Sequence, residues 1–151
     1  MAAVIVAKSA GSQQREPHPM SESISAPPAG PEKHYRDQLA KGQFQIQRCQ
    51  ACARAVFYPR MVCPHCGSDQ LAWATPSGKG TVYSTTVVRR RPEHGGDYNV
   101  ALIDLEEGVR LMSRVQGIAP DAVSIGMAVQ ADVADIDGEK TVVFRQAGGR
   151  A

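Results

Sequence analysis

The stretch that decides the fold is residues 47–68, QRCQACARAVFYPRMVCPHCGS, which contains all four cysteines of the chain. The cysteines form two Cys-x-x-Cys pairs, Cys49 with Cys52 and Cys63 with Cys66, separated by ten residues. Each pair can present two sulfurs from one tight turn, and a hairpin of this length brings two such turns together around a tetrahedral ion. The spacing therefore predicts a structural Zn²⁺ held by these four thiolates.

Residues 44–75 need a cross-link or a bound metal to fold, because they carry too few large apolar side chains to offset the entropy of ordering the chain. Three alternatives to zinc remain: disulfides, an iron site like that of rubredoxin, and a thioredoxin-type redox pair. Disulfides are disfavoured in a reducing compartment, and a redox pair needs a βαβ context that the sequence lacks. A closed four-thiolate site has no open coordination position, so it predicts architecture rather than catalysis. His65 lies between two ligands and is interpreted as a residue of the turn.

Composition excludes several classes of protein. The chain has 151 residues, enough for one modest core and one small module. No apolar run approaches the roughly 18 residues that a membrane span needs. Val and Ile together number 22 against 5 Leu, which favours strands over a helical bundle. The formal net charge is +2, and coordination of a divalent ion by four thiolates would bring it to zero, which is unfavourable for nucleic-acid binding.

The chain divides into five predicted segments. Residues 1–31 hold five of the ten prolines and predict a disordered tail, with Met20 as an alternative start of translation. Residues 32–43 predict a short docking helix, since Tyr35 and Leu39 share one face and Gly42 can end it. This helix covers either its own domain or a partner.

The rest of the chain divides into three predicted segments. Residues 44–75 form the ribbon, residues 76–146 form a barrel, and residues 147–151 form a frayed terminus. No secretory signal is recognisable, so we expect a cytoplasmic protein.

The predicted class is mainly β, with the helix and the ribbon preceding five short strands after residue 76. The strands are expected at 80–90, 98–105, 109–115, 127–134 and 141–144, separated by turn residues. In the first of them Val82, Thr86 and Val88 are expected to share one face. Five strands with one longer link after the third match a barrel of the OB type, and a five-stranded sandwich fits the count as well.

The region from Tyr35 to Phe144 resembles a known family. The motifs in order are the helix, Gln47-Arg48-Cys49-x-x-Cys52, the segment Val56-Phe57-Tyr58-Pro59-Arg60, Cys63-Pro64-His65-Cys66-Gly67-Ser68, the single Trp73, and Ser77-Gly78-Lys79-Gly80-Thr81-Val82-Tyr83-Ser84. The chain is similar to accessory proteins with an N-terminal rubredoxin-like zinc ribbon and a C-terminal OB-fold, first catalogued as a domain of unknown function.

The resemblance implies a non-catalytic subunit that binds a thiolase-like enzyme or a hotdog-fold enoyl-CoA hydratase and helps to enclose the acyl-CoA. It assigns the metal to the four cysteines and assigns no catalytic residue. Members of the family act in lipid metabolism through protein-protein interaction, with the partner performing the chemistry.

A possible contact with CoA is the run Arg89, Arg90 and Arg91 at the end of the first barrel strand. Guanidinium groups suit phosphates, an acidic patch on a partner would also attract them, and a charge run is most often merely solvated. Residues 76–151 carry nine Lys and Arg against ten Asp and Glu, with few aromatics, so the alternative of a zinc-ribbon nucleic-acid-binding protein is disfavoured. A small iron redox protein is the third hypothesis. The four histidines are scattered, and no catalytic motif appears.

Overall fold

The computed structural model describes residues 29–148, so most of the predicted tail and residues 149–151 lie outside the described residues. Helix α1 covers Pro31–Ala40, with proline at its first position and Gly42 at a φ of 78° just beyond its end. Tyr35 and Leu39 are buried in the core that the barrel also forms. Of the two expectations for this helix, the structure shows the first: it covers its own protein.

The ribbon is a three-stranded antiparallel sheet. Its strands are β1 (Ile46–Cys49), β2 (Ala55–Val56) and β3 (Leu71–Ala74), and β1 lies in the middle. The register places Gln47 opposite Val56 and Cys49 opposite Leu71. The first cysteine therefore ends the central strand, where its backbone is held from both sides.

The remaining strands form one continuous sheet. They are β4 (Lys79–Val88), β5 (Tyr98–Leu105), β6 (Arg110–Ser113), β7 (Val115–Gln116), β8 (Ala128–Ile136) and β9 (Glu139–Gln146). Their order is β6-β5-β4-β8-β9-β7, with β7 parallel to β9. Because β6 and β7 are two halves of one strand interrupted at Arg114, the sheet closes on itself. The predicted five-stranded OB barrel is confirmed, and the sandwich is wrong because β4 to β9 all belong to one sheet.

One predicted strand face is wrong. The pairing of β4 with β5 shifts between Val82 and Ser84, which marks a bulge at Tyr83. Val82 pairs with buried Ile103, whereas beyond the bulge it is Thr85 that pairs with buried Ala101. The inserted residue reverses the alternation, so Thr86 and Val88 lie on the opposite face from Val82. A period of two read along the sequence cannot show such an insertion.

Ribbon, helix and barrel share one hydrophobic core. Its buried members are Tyr35, Leu39, Phe44, Ile46, Val82, Ala101, Ile103, Leu105, Val109, Leu111, Val115, Val123, Val129, Val142 and Phe144. Phe44 and Ile46 belong to the ribbon side and the later residues to the barrel. The two modules therefore pack against each other without a solvent layer between their cores. Within residues 29–148, no helix has the length and apolar character needed to cross a bilayer.

The link between ribbon and barrel is fixed by the turn that connects β5 and β6. The carboxylate of Glu107 accepts a hydrogen bond from the backbone N–H of Ser77 at 2.5 Å. The Ser77 hydroxyl in turn donates to Glu106 at 3.4 Å. These two glutamates, which lie between β5 and β6, therefore fix the start of the barrel.

Candidate metal centre and arginine surface

The two cysteine turns have the same backbone geometry. The N–H of Ala53 donates to the carbonyl of Cys49, and the N–H of Gly67 donates to that of Cys63, both at 2.9 Å. Ala53 and Gly67 both adopt the left-handed conformation, with φ of 61° and 77°. The two halves of the site are therefore built alike, with alanine in one turn at the position that glycine occupies in the other.

These turns bring all four sulfurs together, and the Sγ atoms lie within 4.8 Å of one another. Cys49 and Cys66 are 3.6 Å apart, and Cys52 and Cys63 are 3.7 Å apart. Such separations are far longer than a disulfide bond of about 2.05 Å. A tetrahedral ion with Zn–S bonds of about 2.3 Å requires sulfurs about 3.8 Å apart. The donor set and its geometry therefore fit a zinc ion and do not fit disulfides.

The environment of the cysteines favours the thiolate form of one ligand. The backbone N–H of Cys52 points at the sulfur of Cys49 and lowers the pKa of Cys49 to about 6. Cys49 and Cys63 are buried, whereas Cys66 is exposed at the surface. His65 lies outside the sulfur cluster, with its Nδ1 3.4 Å from the guanidinium of Arg54. A metal ion bound by all four sulfurs would have no free coordination position for substrate or water. The centre can therefore stabilise the hairpin but cannot activate water.

The loop between the two turns is held by Gln47, a residue of the first cysteine motif to which the sequence assigned no role. Gln47 is only 3% exposed, and its side-chain amide makes two hydrogen bonds to the backbone of Arg60. Its Nε2 donates to the carbonyl at 3.0 Å, and its Oε1 accepts from the N–H at 2.7 Å. A glutamine in an amphipathic strand gives no signal of this role, because its partner is thirteen residues away.

This loop presents apolar side chains to solvent. Tyr58, Met61 and Val62 are exposed, with Met61 at 70%. Tyr58 also lines a cavity of about 290 Å³ together with Met112 of β6, which is 72% exposed. We call Tyr58, Met61, Val62 and Met112 the apolar surface. Of these, Tyr58 and Met112 line the same cavity, and a group of exposed apolar side chains is typical of a protein-protein contact.

The three predicted ligand-binding arginines have different surroundings. Arg89 pairs with Asp97 at 2.5 Å, and Arg91 lies 3.9 Å from Glu93. The pairing with Asp97 raises the pKa of Arg89 and lowers that of Asp97. Arg90 instead has its guanidinium over the ring of Tyr98, 5.1 Å from the ring centre. The run thus separates into two arginines with acidic neighbours and one that lies on an aromatic ring.

Arg114 joins Arg90 on the same ring, with its guanidinium 4.0 Å from the centre of Tyr98. The sequence did not single out Arg114, since it lies 24 positions beyond Arg90. Tyr98 starts β5, and the two arginines follow the ends of the neighbouring strands, Arg90 just after β4 and Arg114 directly after β6. Only the order of the strands could have predicted that these two charges meet.

Comparison with known proteins agrees with this architecture. Residues 36–72 match the family model described as "ChsH2, rubredoxin-like zinc ribbon domain", and residues 73–134 match "ChsH2, C-terminal OB-fold domain". A solved structure titled "Ltp2-ChsH2(DUF35) aldolase" contains a chain that is similar at 34% identity with a TM-score of 0.68. The match covers 83% of this chain and 98% of that one.

Two curated relatives extend the comparison. A "DUF35 domain-containing scaffold protein" of Methanocaldococcus jannaschii is 36% identical over 102 residues, covering 64% of this chain and 72% of the relative. A "Probable enoyl-CoA hydratase alpha subunit" of Thermomonospora curvata is 44% identical over 105 residues, which is 68% of this chain. The matched region spans only 33% of that relative's length.

Proposed function

Because the chain belongs to the ChsH2-type family of DUF35-domain proteins, with a zinc ribbon and an OB-fold, we propose that it is a non-catalytic accessory subunit of an acyl-CoA-processing enzyme. The partner is a thiolase-like enzyme or a hotdog-fold hydratase, and the chain helps to enclose its acyl-CoA substrate. The observation that carries the proposal is the match across 98% of a chain in the structure titled "Ltp2-ChsH2(DUF35) aldolase".

The names of the relatives support this role in different ways. The Methanocaldococcus jannaschii relative is named a scaffold protein, which describes assembly rather than catalysis. The Thermomonospora curvata relative is named as a subunit of an enoyl-CoA hydratase and is about three times as long as the matched region. A module of this kind therefore occurs both as a separate chain and as part of a longer subunit.

In the proposed role the four cysteines hold a structural Zn²⁺, which keeps the hairpin rigid and takes no part in the reaction. Zinc supplies folding free energy to such ribbons because the sulfurs converge only in the folded state. The rigid hairpin then carries the loop with Tyr58, Met61 and Val62. We propose that the partner enzyme covers the apolar surface, since that surface combines the ribbon loop with β6 of the barrel.

The charges of the barrel support a protein partner over single-stranded nucleic acid. Arg110 forms two hydrogen bonds with Asp104, and Arg145 pairs with Asp132 at 2.8 Å. These arginines lie beside carboxylates instead of forming an open basic groove. Nucleic-acid binding depends on unneutralised basic side chains along the strand path.

The test is co-expression of the tagged full-length chain with the acyl-CoA enzymes encoded beside its gene, followed by purification on the tag. We expect a thiolase-like or hydratase-like protein to co-elute at a fixed ratio. Co-elution of none of these enzymes, together with steeply salt-dependent binding of single-stranded DNA, would overturn the proposal.

Two variants locate the contact. Met61→Asp places a charge on the apolar surface and is expected to prevent co-elution, because a buried unpaired charge is costly at an interface. Ile125→Asp is the matched control, since Ile125 is 71% exposed in the loop before β8, outside the apolar surface. Co-elution that survives Met61→Asp but not Ile125→Asp would move the contact to the other loop.

A further inference from the structure

We infer that Arg90 and Arg114, which share the ring of Tyr98, form a binding site for the phosphate groups of a ligand. The inference rests on the proposed function, under which that ligand is the nucleotide end of CoA. Arg114, which no sequence motif indicated, is then part of the site. Arg89 and Arg91 do not contact the phosphates directly.

The first argument is charge. Among residues 29–148, seven ion pairs lie within 4 Å, and neither Arg90 nor Arg114 belongs to one of them. Their distances to the ring centre place the two guanidinium carbons within about 9 Å of each other. Because neither guanidinium has a carboxylate partner within 4 Å in this part of the chain, both keep their N–H donors for an anion. Guanidinium groups bind phosphate oxygens through paired, charge-assisted hydrogen bonds.

The second argument is that both arginines are held in place before any ligand arrives. The carbonyl of Arg114 accepts a hydrogen bond from the N–H of Phe144 at 2.8 Å, and its side chain is half-buried on Tyr98. The N–H of Arg90 donates to Asp97 at 2.8 Å, while the other oxygen of Asp97 accepts from Arg89. Asp97 therefore acts as a positioning residue that fixes the backbone from which Arg90 reaches the ring.

The third argument is the space beside the site. Arg114 lines a cavity of about 380 Å³ together with Met112, Thr141 and Val142. The same three neighbours line the 290 Å³ cavity that continues toward Tyr58 and Leu39. A ligand with phosphates at the arginines can extend a narrow, less polar arm along this groove, beside the apolar surface. A phosphorylated thioester of the CoA class has this division between a charged end and a long neutral arm.

Two carboxylates also line the groove and limit where the phosphates can lie. Glu139 forms an ion pair with Arg36 of α1, so its charge is compensated. Asp137 lies in the turn between β8 and β9 at the rim of the 380 Å³ cavity. A phosphate at that rim would be repelled, which favours the end of the groove where Arg114 meets Tyr98.

The experiment measures binding by isothermal titration calorimetry, using the full-length, metal-containing chain at fixed ionic strength. The probes are CoA, adenosine 3′,5′-bisphosphate, inorganic pyrophosphate and pantetheine. We expect CoA and the bisphosphate to bind and pantetheine to bind more weakly. Arg90→Gln and Arg114→Gln should each weaken binding of CoA about tenfold or more, the loss expected for a hydrogen bond to a charged group.

Arg89→Gln and Arg91→Gln are the matched controls and should change the affinity less than about twofold, beyond the general effect of one lost charge. Arg114→Lys keeps the positive charge but loses the paired N–H donors of the guanidinium group. Once its melting temperature is shown to be unchanged, this variant should bind CoA with an affinity between those of the unaltered chain and Arg114→Gln. Equal weakening by all four glutamine variants, or no binding of any phosphorylated probe to the unaltered chain, would overturn the inference. Arginine-dependent binding of pyrophosphate without binding of CoA would overturn the assignment to CoA.

The two proposals fail separately. Arg90→Gln with Arg114→Gln in one chain should still co-purify with the partner enzyme, because neither residue is part of the apolar surface. Co-purification without phosphate binding would leave the accessory role and remove the phosphate site. Phosphate binding without any enzyme partner would retain the site and remove the accessory role.

Discussion

Asn99 closes the barrel by forming two hydrogen bonds with the backbone of Val115. Its Nδ2 donates to the carbonyl at 2.6 Å, and its Oδ1 accepts from the N–H at 2.8 Å. Asn99 is 4% exposed, and Val115 lies in β7, the short strand that pairs with β9. A buried amide here replaces the backbone ladder that is interrupted at Arg114, and so the barrel closes without leaving Val115 unpaired.

We therefore predict that Asn99→Leu lowers the free energy of unfolding by about 2–4 kcal/mol, because the N–H and carbonyl of Val115 both lose their buried partner. Urea unfolding followed by circular dichroism measures the change. Gln43→Leu is the control, since this exposed amide should alter stability by less than about 0.5 kcal/mol. Equal stability of the two variants would show that the barrel closes without the amide.

Ala53→Gly should stabilise the ribbon. Ala53 has a φ of 61°, which is unfavourable for a residue with a Cβ, and glycine occupies the equivalent position in the second turn. Relief of about 1–2 kcal/mol of left-handed strain exceeds the entropic cost of glycine, leaving a gain of about 0.5–1 kcal/mol.

The measurement is the midpoint of urea unfolding of the metal-containing protein. Ala51→Gly, in the same turn but without a positive φ, should change the midpoint in the opposite direction. A loss of stability in both variants would contradict the strain argument.

Cys63→Ser should remove the metal and lower the melting temperature, since one buried thiolate of the four is lost. Metal content by inductively coupled plasma mass spectrometry and melting by circular dichroism check the two effects. His65→Ala is the control and should retain one zinc per chain, because His65 lies outside the sulfur cluster. Iron in the purified protein, with the colour of an iron–sulfur centre, would contradict the choice of zinc.

The ion pair between Asp104 and Arg110 predicts a dependence of stability on pH. The hydrogen bonds from Arg110 lower the pKa of Asp104 in the folded protein. A carboxyl with a lowered folded pKa stabilises the fold above its unfolded value of about 3.9, and this contribution is lost as the pH falls through the folded pKa. Asp104→Asn should therefore be less stable than the unaltered chain at pH 7, and the difference should shrink below about pH 4.

Melting temperatures measured from about pH 2.5 to about pH 7 test this expectation, because this range spans the titration of a carboxyl group. Asp69→Asn serves as the control, because Asp69 is exposed and lies outside the ion pairs within residues 29–148. A difference between Asp104→Asn and the unaltered chain that does not vary with pH would contradict it.

Local patterns in the sequence predicted most of the fold. The cysteine spacing predicted the ribbon, the four-residue spacing of Tyr35 and Leu39 predicted α1, and turn residues separated the barrel strands. Each of these signals lies within a few neighbouring positions. The bulge at Tyr83 was missed because it depends on the partner strand, and it reversed the predicted face of Thr86 and Val88.

The residues that complete the sites were missed for a related reason. Gln47 and Asn99 act on backbone groups thirteen and sixteen positions away, and Glu107 acts on Ser77 thirty positions away. Arg114 becomes relevant only once β4, β5 and β6 are adjacent. Side-chain types such as amides and arginines are common at solvated positions, so their roles follow from topology and not from composition.

The common core that contains Phe44 and Ile46 has a consequence for regulation. These two side chains precede Cys49 by a few positions and belong to the same buried cluster as Ile103 and Phe144 of the barrel. We therefore expect removal of a metal ion from the four cysteines to disturb the core of the barrel as well as the hairpin. Under the proposed function, the amount of chain able to assemble with a partner would then depend on the supply of the metal.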